Sequence, residues 1–209
     1  MAKMVALLLA IVCMTMASFG RALPDDQSPE SVEKWFKHFP NAKPQNMKLR
    51  LYLNNILTMV PPASVAVAKA NTTDSTPDTN FGLVRVIDGP ITEQPMTEHP
   101  DAKVIARVQG LGVFSSQTEV GILEAINFVF TDGEFKGSTL TTFGRLAPAQ
   151  GWNDISIVGG SGDFRMAQGT IASRIYFIDP TIGDVQEMVF DFYYYPPSIS
   201  MEPKDELRK

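Results

Sequence analysis

The chain has 209 residues, 44% hydrophobic and 20% charged, which suits one globular domain with a sizeable core and gives no sign of a second. With 18 basic against 23 acidic residues it carries a formal net charge of −5, which argues against a phosphate backbone as a partner. The single cysteine, Cys13, lies in an N-terminal apolar run, so the rest of the chain has neither disulfide nor thiol nucleophile.

Residues 1–22 combine Lys3, an apolar run from Met4 to Phe19, and small residues at Ser18, Gly20 and Ala22. This predicts a signal peptide cleaved after Gly20 or Ala22, and a protein secreted to the extracellular space. A membrane anchor is the competing reading, but the run is short for a bilayer span and no later segment reaches that length.

An N-terminal segment, 23–46, follows. Its start is polar; then Ser28 as N-cap and Pro29 in the first turn open a short helix with Val32, Trp35, Phe36 and Phe39 on one face. That face is expected to pack on the domain or cover one end of it, with a membrane or partner anchor as the alternative. Pro40 and Pro44 end the helix.

From Lys48 the period changes to two. Leu49, Leu51, Leu53, Asn55 and Leu57 share one face, which predicts the first strand. Pro61-Pro62 breaks it, and 63–68 gives a second. The stretch 71–80 reads as an exposed loop containing the glycosylation sequon Asn71-Thr72-Thr73. Further strands are expected at 81–88, 103–114, 121–131, 137–143, 165–178 and 185–195, making eight with no helix between them. Antiparallel pairing with full closure would remove exposed edges. Asp132-Gly133 supplies a hairpin turn, and Gly159-Gly160-Ser161-Gly162-Asp163 reads as a tight turn rather than strand interior. The tail, 196–209, is polar, and its Lys204-Asp205-Glu206-Leu207 is followed by Arg208 and Lys209, so it does not read as a terminal retention signal.

Little chemistry is visible by residue type. His38 and His99 are the only histidines, too few for a metal cluster with ordinary ligands, so neither a metal nor an organic cofactor is expected. The Gly159 run lacks the Lys-Ser/Thr of a phosphate loop, and Asp163 stands where a nucleophile elbow needs its last glycine. A small barrel can hold one ligand in its mouth. Asn55, the polar residue on a leucine face, is therefore either a satisfied group at a wet barrel end or a substrate contact, with Leu53 beside it. Phe190 and Phe192 read as core, and Asp191 as solvent-facing or paired with an arginine.

Four motifs in order carry a resemblance: Val108-Gln-Gly-Leu-Gly-Val-Phe-Ser-Ser-Gln117, Asn127-Phe-Val-Phe-Thr-Asp-Gly-Glu-Phe-Lys-Gly-Ser138, Gly144-Arg145, and Val158-Gly-Gly-Ser-Gly-Asp-Phe-Arg-Met-Ala-Gln-Gly169. Together they resemble the plant dirigent family across roughly 49–195. The resemblance implies an all-β, eight-stranded antiparallel β-barrel spanning 47–195 and a homo-oligomer, a trimer or alternatively a dimer. It implies a function in steering the coupling of phenoxy radicals, supplied by a separate laccase or peroxidase, in phenylpropanoid metabolism. Against that pattern, Asn55 stands where lignan-forming members carry an inward aspartate. Leu146 stands at a second aspartate position, and Asn153 at an arginine position. These departures argue for weak acid chemistry in the pocket. A dehydratase or cyclase on a phenol, and a non-catalytic phenolic-binding or wall protein, remain the alternatives.

Overall fold

The computed structural model describes residues 27–71, 75 and 78–196. The leader at 1–22, most of the tail, and Thr72 and Thr73 of the sequon lie outside the described residues.

Helix α1 (Pro29–His38) starts where the sequence predicts: the Ser28 side chain accepts a hydrogen bond from Ser31 N at 3.2 Å, with Pro29 in the first turn. Trp35 stacks on Phe39 at 4.8 Å, Phe39 meets Tyr195 edge-on at 4.8 Å, and the Arg165 guanidinium lies 5.2 Å from the Trp35 ring centre. The aromatic face thus rests beside the end of the last strand, while Phe36 stays exposed.

Nine strands follow among the described residues: β1 (Gln45–Ile56), β2 (Ser64–Lys69), β3 (Leu83–Thr92), β4 (Val104–Phe114), β5 (Ile122–Phe130), β6 (Thr139–Leu146), β7 (Asn153–Ser161), β8 (Gln168–Asp179) and β9 (Gly183–Tyr194). Each pairs antiparallel with its neighbours in the order β1-β9-β8-β7-β6-β5-β4-β3-β2, and β1 also pairs with β3, which closes the ring. β1 meets β3 at Leu53 and Ile91, and β2 continues the same line with Ser64 opposite Ile87. β1 and β2 therefore share one position, and the architecture is an eight-stranded antiparallel barrel.

The strand inventory differs from that expected at β7 (Asn153–Ser161), which is not among the eight strands expected from sequence and whose glycine-rich end the sequence predicts as a turn. Gly159, Gly160 and Ser161 lie in β7, opposite Thr141, Leu140 and Thr139, and the turn begins only at Gly162 (φ +63°). The physical reason is close approach rather than flexibility. A Cβ on Gly160 would stand 2.4 Å from Thr139 O and 2.6 Å from Phe164 O. β8 accordingly begins at Gln168, later than the predicted 165.

The turn is fastened to β6: Ser138 Oγ donates to Asp163 Oδ2 and accepts from Asp163 N, both at 3.0 Å. It delivers Phe164 into the interior, fully buried, against Phe130, Phe192 and Tyr194 with ring centres 5.2–5.6 Å apart, and against Phe135 at 4.8 Å. Five aromatic rings thus plug this end, burying large apolar area in edge-on and tilted geometries. Phe190 and Phe192 are core, as expected; Asp191 faces outward and pairs with Lys48 at 2.7 Å rather than with an arginine. On the outer face Glu187, with its side chain 3% exposed, accepts from Arg50 and Arg174, and Arg174 lies 4.7 Å from the centre of the Trp152 ring. This pins β1, β9 and β8 together and draws the 147–152 loop down onto the wall.

The two adjacent glycines give a direct check. Gly160→Ala is expected to destabilise by about 1–3 kcal/mol or more, because the added methyl meets backbone. Gly159→Ala, where a Cβ meets nothing within 4 Å, should stay within about 0.5 kcal/mol. Urea unfolding of both variants reads the difference.

Candidate functional site

With one end plugged, the cavity lies at the other. It has a volume of about 470 Å³, within the range of small-molecule pockets. Beneath it is a void of about 20 Å³, and Glu124 and Gln186 line both, so they form the floor between them.

Alternation along the strands sets the lining. Asn55 on β1 stands opposite Asp184 on β9, both at the ends of their strands. Asn55 Nδ2 donates to Asp184 Oδ1 at 2.7 Å, Gln186 Nε2 to Asp184 Oδ2 at 3.3 Å, and Ser173 Oγ to Gln186 Oε1 at 3.4 Å. Among the described residues, Asn55 Oδ1 is the buried side-chain polar atom without a hydrogen-bond partner. On β5 the inward face reads Ile122, Glu124, Ile126, Phe128 and Phe130. Glu124 retains 9% of its surface, and no hydrogen bond from the described residues reaches its carboxyl. On β3, Arg85 lines the cavity, and its Nε donates to Ser64 Oγ at 2.7 Å.

Burial controls the charges. It pushes the Glu124 carboxyl up to about 7, reinforced by the negative charge of Asp184. Burial also raises Asp184, opposed by hydrogen bonds from Asn55 and Gln186 and by the charge of Arg85. Asp179 at the rim is held low, as its carboxylate accepts from the Thr181 hydroxyl and from two backbone N–H groups. The cavity thus holds a carboxyl that shares its proton evenly with solvent near neutrality, beside a second acid and one fixed cation. Such a carboxyl can give and take a proton at working pH. No three His, Cys, Asp or Glu side chains come together in metal-binding geometry among the described residues.

Of the residues singled out from sequence, Asn55 and Leu146 line the cavity, and Leu53 lies deeper, against the void. Asn153 does not line it. Its amide turns to the loop backbone, accepting from Ala147 N at 2.7 Å and donating to Gly151 O at 2.9 Å. Asn71 is exposed. The pocket is not without an acid: Asn55 and Leu146 supply no proton, but the buried Glu124 carboxyl can. Glu124 gave the same signal as Asn55, a polar residue on an apolar period-two face. Arg85 shares its face with Ile87 and Ile91, and Asp184 stands one residue before the predicted strand.

A closed antiparallel barrel, plugged at one end and carrying acid groups in an otherwise largely apolar mouth at the other, is the class of fold and site that this chain presents. Comparison with known proteins makes this specific. The Dirigent-like protein family model matches residues 46–193, and the chain belongs to that family. Dirigent protein 23 of Arabidopsis thaliana is 38% identical over 136 residues, 65% of this chain and 71% of its own. Pterocarpan synthase 1 of Glycyrrhiza echinata is 35% identical over 151 residues, 70% of this chain and 77% of its own. The solved structure of the pterocarpan synthase dirigent protein GePTS1 superposes with a TM-score of 0.67 at 31% identity, covering 76% of this chain and 90% of that one.

Glu124 makes a signed prediction about stability. Its pKa is raised from an ordinary 4.5 to about 7, so the folded state binds the extra proton between those values. Its contribution to stability is therefore complete below pH 4.5 and is lost as pH rises through 7, a change on the order of 3 kcal/mol. Urea unfolding between pH 4.5 and 8 should show that much steeper a decline in the natural protein than in Glu124→Gln.

Proposed function

We propose that this dirigent-family barrel takes a phenolic of the phenylpropanoid class into its mouth and controls the stereochemistry of bond formation at a quinone methide, with Glu124 as proton donor. The observation that carries this is the buried Glu124 carboxyl, poised near neutral pH and open to the cavity without a protein partner. A carboxyl so placed is costly to keep and suited to general acid catalysis.

The chemistry closes as a dehydrative cyclisation. A hydroxybenzyl alcohol loses its phenolic proton to the Asp184 carboxylate, while Glu124 protonates the benzylic hydroxyl, which leaves as water and yields the quinone methide. A second hydroxyl of the same molecule then adds to the benzylic carbon and returns its proton to Glu124. The proton held by Asp184 goes back to the phenolic oxygen, and the net change is loss of one water. The walls present one face of the benzylic carbon, which fixes the handedness. Kinship with two pterocarpan synthases supports this enzyme reading.

Coupling of two phenoxy radicals from a separate oxidase is the second reading. It is favoured by kinship with proteins named as dirigent and by a largely apolar wall able to orient rings. It converges on the same residue, because coupled radicals also yield quinone methides that need a proton when a hydroxyl closes on them. In either reading the protein works outside the cell as a glycosylated homo-oligomer, with residues 1–22 removed and glycan on Asn71.

One experiment separates the two. The protein is given hydroxybenzyl-type isoflavonoid alcohols without oxidase, and coniferyl alcohol with laccase, and products are resolved by chiral chromatography. Enantiomerically enriched ring-closed product in the first arm supports dehydration; enriched dimers in the second, with the oxidase rate unchanged, support coupling. Glu124→Gln should lower cyclisation roughly 100-fold or more, and the natural protein's rate should fall as pH rises through about 7. Asn71→Gln should change neither. Racemic products in both arms, with no phenol bound in calorimetry, would make a non-catalytic wall protein the better account.

A further inference from the structure

The cation in the mouth has no role in that proton chemistry. Arg85 is the one basic residue lining the cavity among the described residues. A guanidinium carries five donors, and the hydrogen bonds of this one go from Nε to Ser64 Oγ at 2.7 Å and from Nη2 to Ser64 O at 3.3 Å. It forms no ion pair among the described residues, although three carboxyl groups share the cavity with it. Two of those carboxyls are otherwise engaged, Asp184 by Asn55 and Gln186 and Asp179 by its own turn, and Glu124 stands two strands away on β5. A charge partly withdrawn from water, felt by Asp184 but hydrogen-bonded only to the neutral Ser64, has donors to spare for a ligand's negative oxygen.

The register supplies the geometry. Arg85 on β3 stands opposite Gly112 on β4, and Gly112 stands opposite Glu124 on β5. Cation and acid thus flank a glycine in one lateral row, with their backbones roughly 10 Å apart over two strand intervals. Ser64 lies on β2, the side of β3 away from Gly112, and so draws the guanidinium away from Glu124. Gly112 is buried and lines the cavity. A Cβ there would come within 3.2 Å of Ile122 Cγ2, so any larger residue would fill the gap between Arg85 and Glu124.

We propose that Arg85 binds the phenolic oxygen of the substrate as its phenolate, with the ring lying over Gly112 and its benzylic carbon toward Glu124. This deepens the quinone-methide reading and rests on it for the role of Glu124, while the binding claim stands on the cavity alone. It narrows the substrate class to molecules whose ionisable hydroxyl and reacting carbon lie at opposite ends of one ring. Arg85 becomes the group that stabilises negative charge while the phenolic proton is away.

The test reads ionisation directly and needs no turnover. A phenol that ionises near neutral pH and changes colour on doing so, such as 4-hydroxybenzaldehyde, is bound to the full chain and titrated by ultraviolet absorbance. The bound phenol is expected to ionise at least one pH unit lower than the free one, a tenfold change in its acid constant. Arg85→Met should abolish that shift, Ser64→Ala should reduce it, and Glu124→Gln should leave it in place. Gly112→Val should weaken binding at least about tenfold. Circular dichroism confirms that each variant is folded. A phenol that does not bind the natural protein, or binds with its ionisation unmoved or raised, overturns the proposal. So does a shift that survives in folded Arg85→Met. A shifted phenol with no product from any substrate would leave Arg85 assigned and remove the acid role of Glu124 instead.

Discussion

The register between β1 and β9 runs unbroken from Gln45 opposite Tyr194 to Ile56 opposite Gly183, and the rest of the molecule hangs from it. Side chains alternate between faces, so a slip of one residue would exchange the inner row for the outer one along both strands. In the observed register Leu49, Leu51 and Leu53 point inward beside Phe190, Met188 and Gln186, and Asn55 reaches Asp184 at the mouth. The outer row then falls into place without further adjustment. Lys48 lies opposite Asp191, Arg50 lies diagonal to Glu187, which stands opposite Tyr52, and each pair is joined by an ion pair.

Closure makes the two ends different. Along β5 the inward residues change from Glu124 to Phe130 in six residues, and along β9 from Asp184 to Tyr194 in ten. These two strands carry the same gradient, an acid at one end and an aromatic ring at the other, and closing the sheet sets the acids in the mouth and the rings in the apolar plug. The perturbed acidity of Glu124 follows from this arrangement. Apolar neighbours below it withhold solvation, and the only large charge beside it is another carboxylate.

Much of this was legible in the sequence, and the failures have distinct physical causes. The period-two run Leu49 to Leu57 located β1, its inner face and Asn55, because alternation is a local property. Glu124 carried an equally local signal between Ile122 and Ile126, yet a strand identified by composition alone does not reveal its faces. Arg85 and Asp184 depend on closure: whether they share a cavity follows from pairings between residues far apart in the chain. Asn153 points inward by alternation, but its amide turns back to the 147–151 backbone, a choice made by loop geometry. Gly159 and Gly160 look like a turn because glycine permits one. Their place in β7 is understood only when Thr139 and Phe164 are seen against Gly160.

The aromatic plug has a consequence for traffic. Phe164, seated by the Ser138–Asp163 clasp, stops the barrel from being a tunnel, so whatever enters past Asn55 and Asp184 must back out along the same route. Any ligand seated inside blocks its own replacement until it departs. Were the proposed dehydration to take place there, the released water would share that single doorway. Exchange in such a blind-ended vessel is then governed by how readily the occupant loosens its grip on the rim.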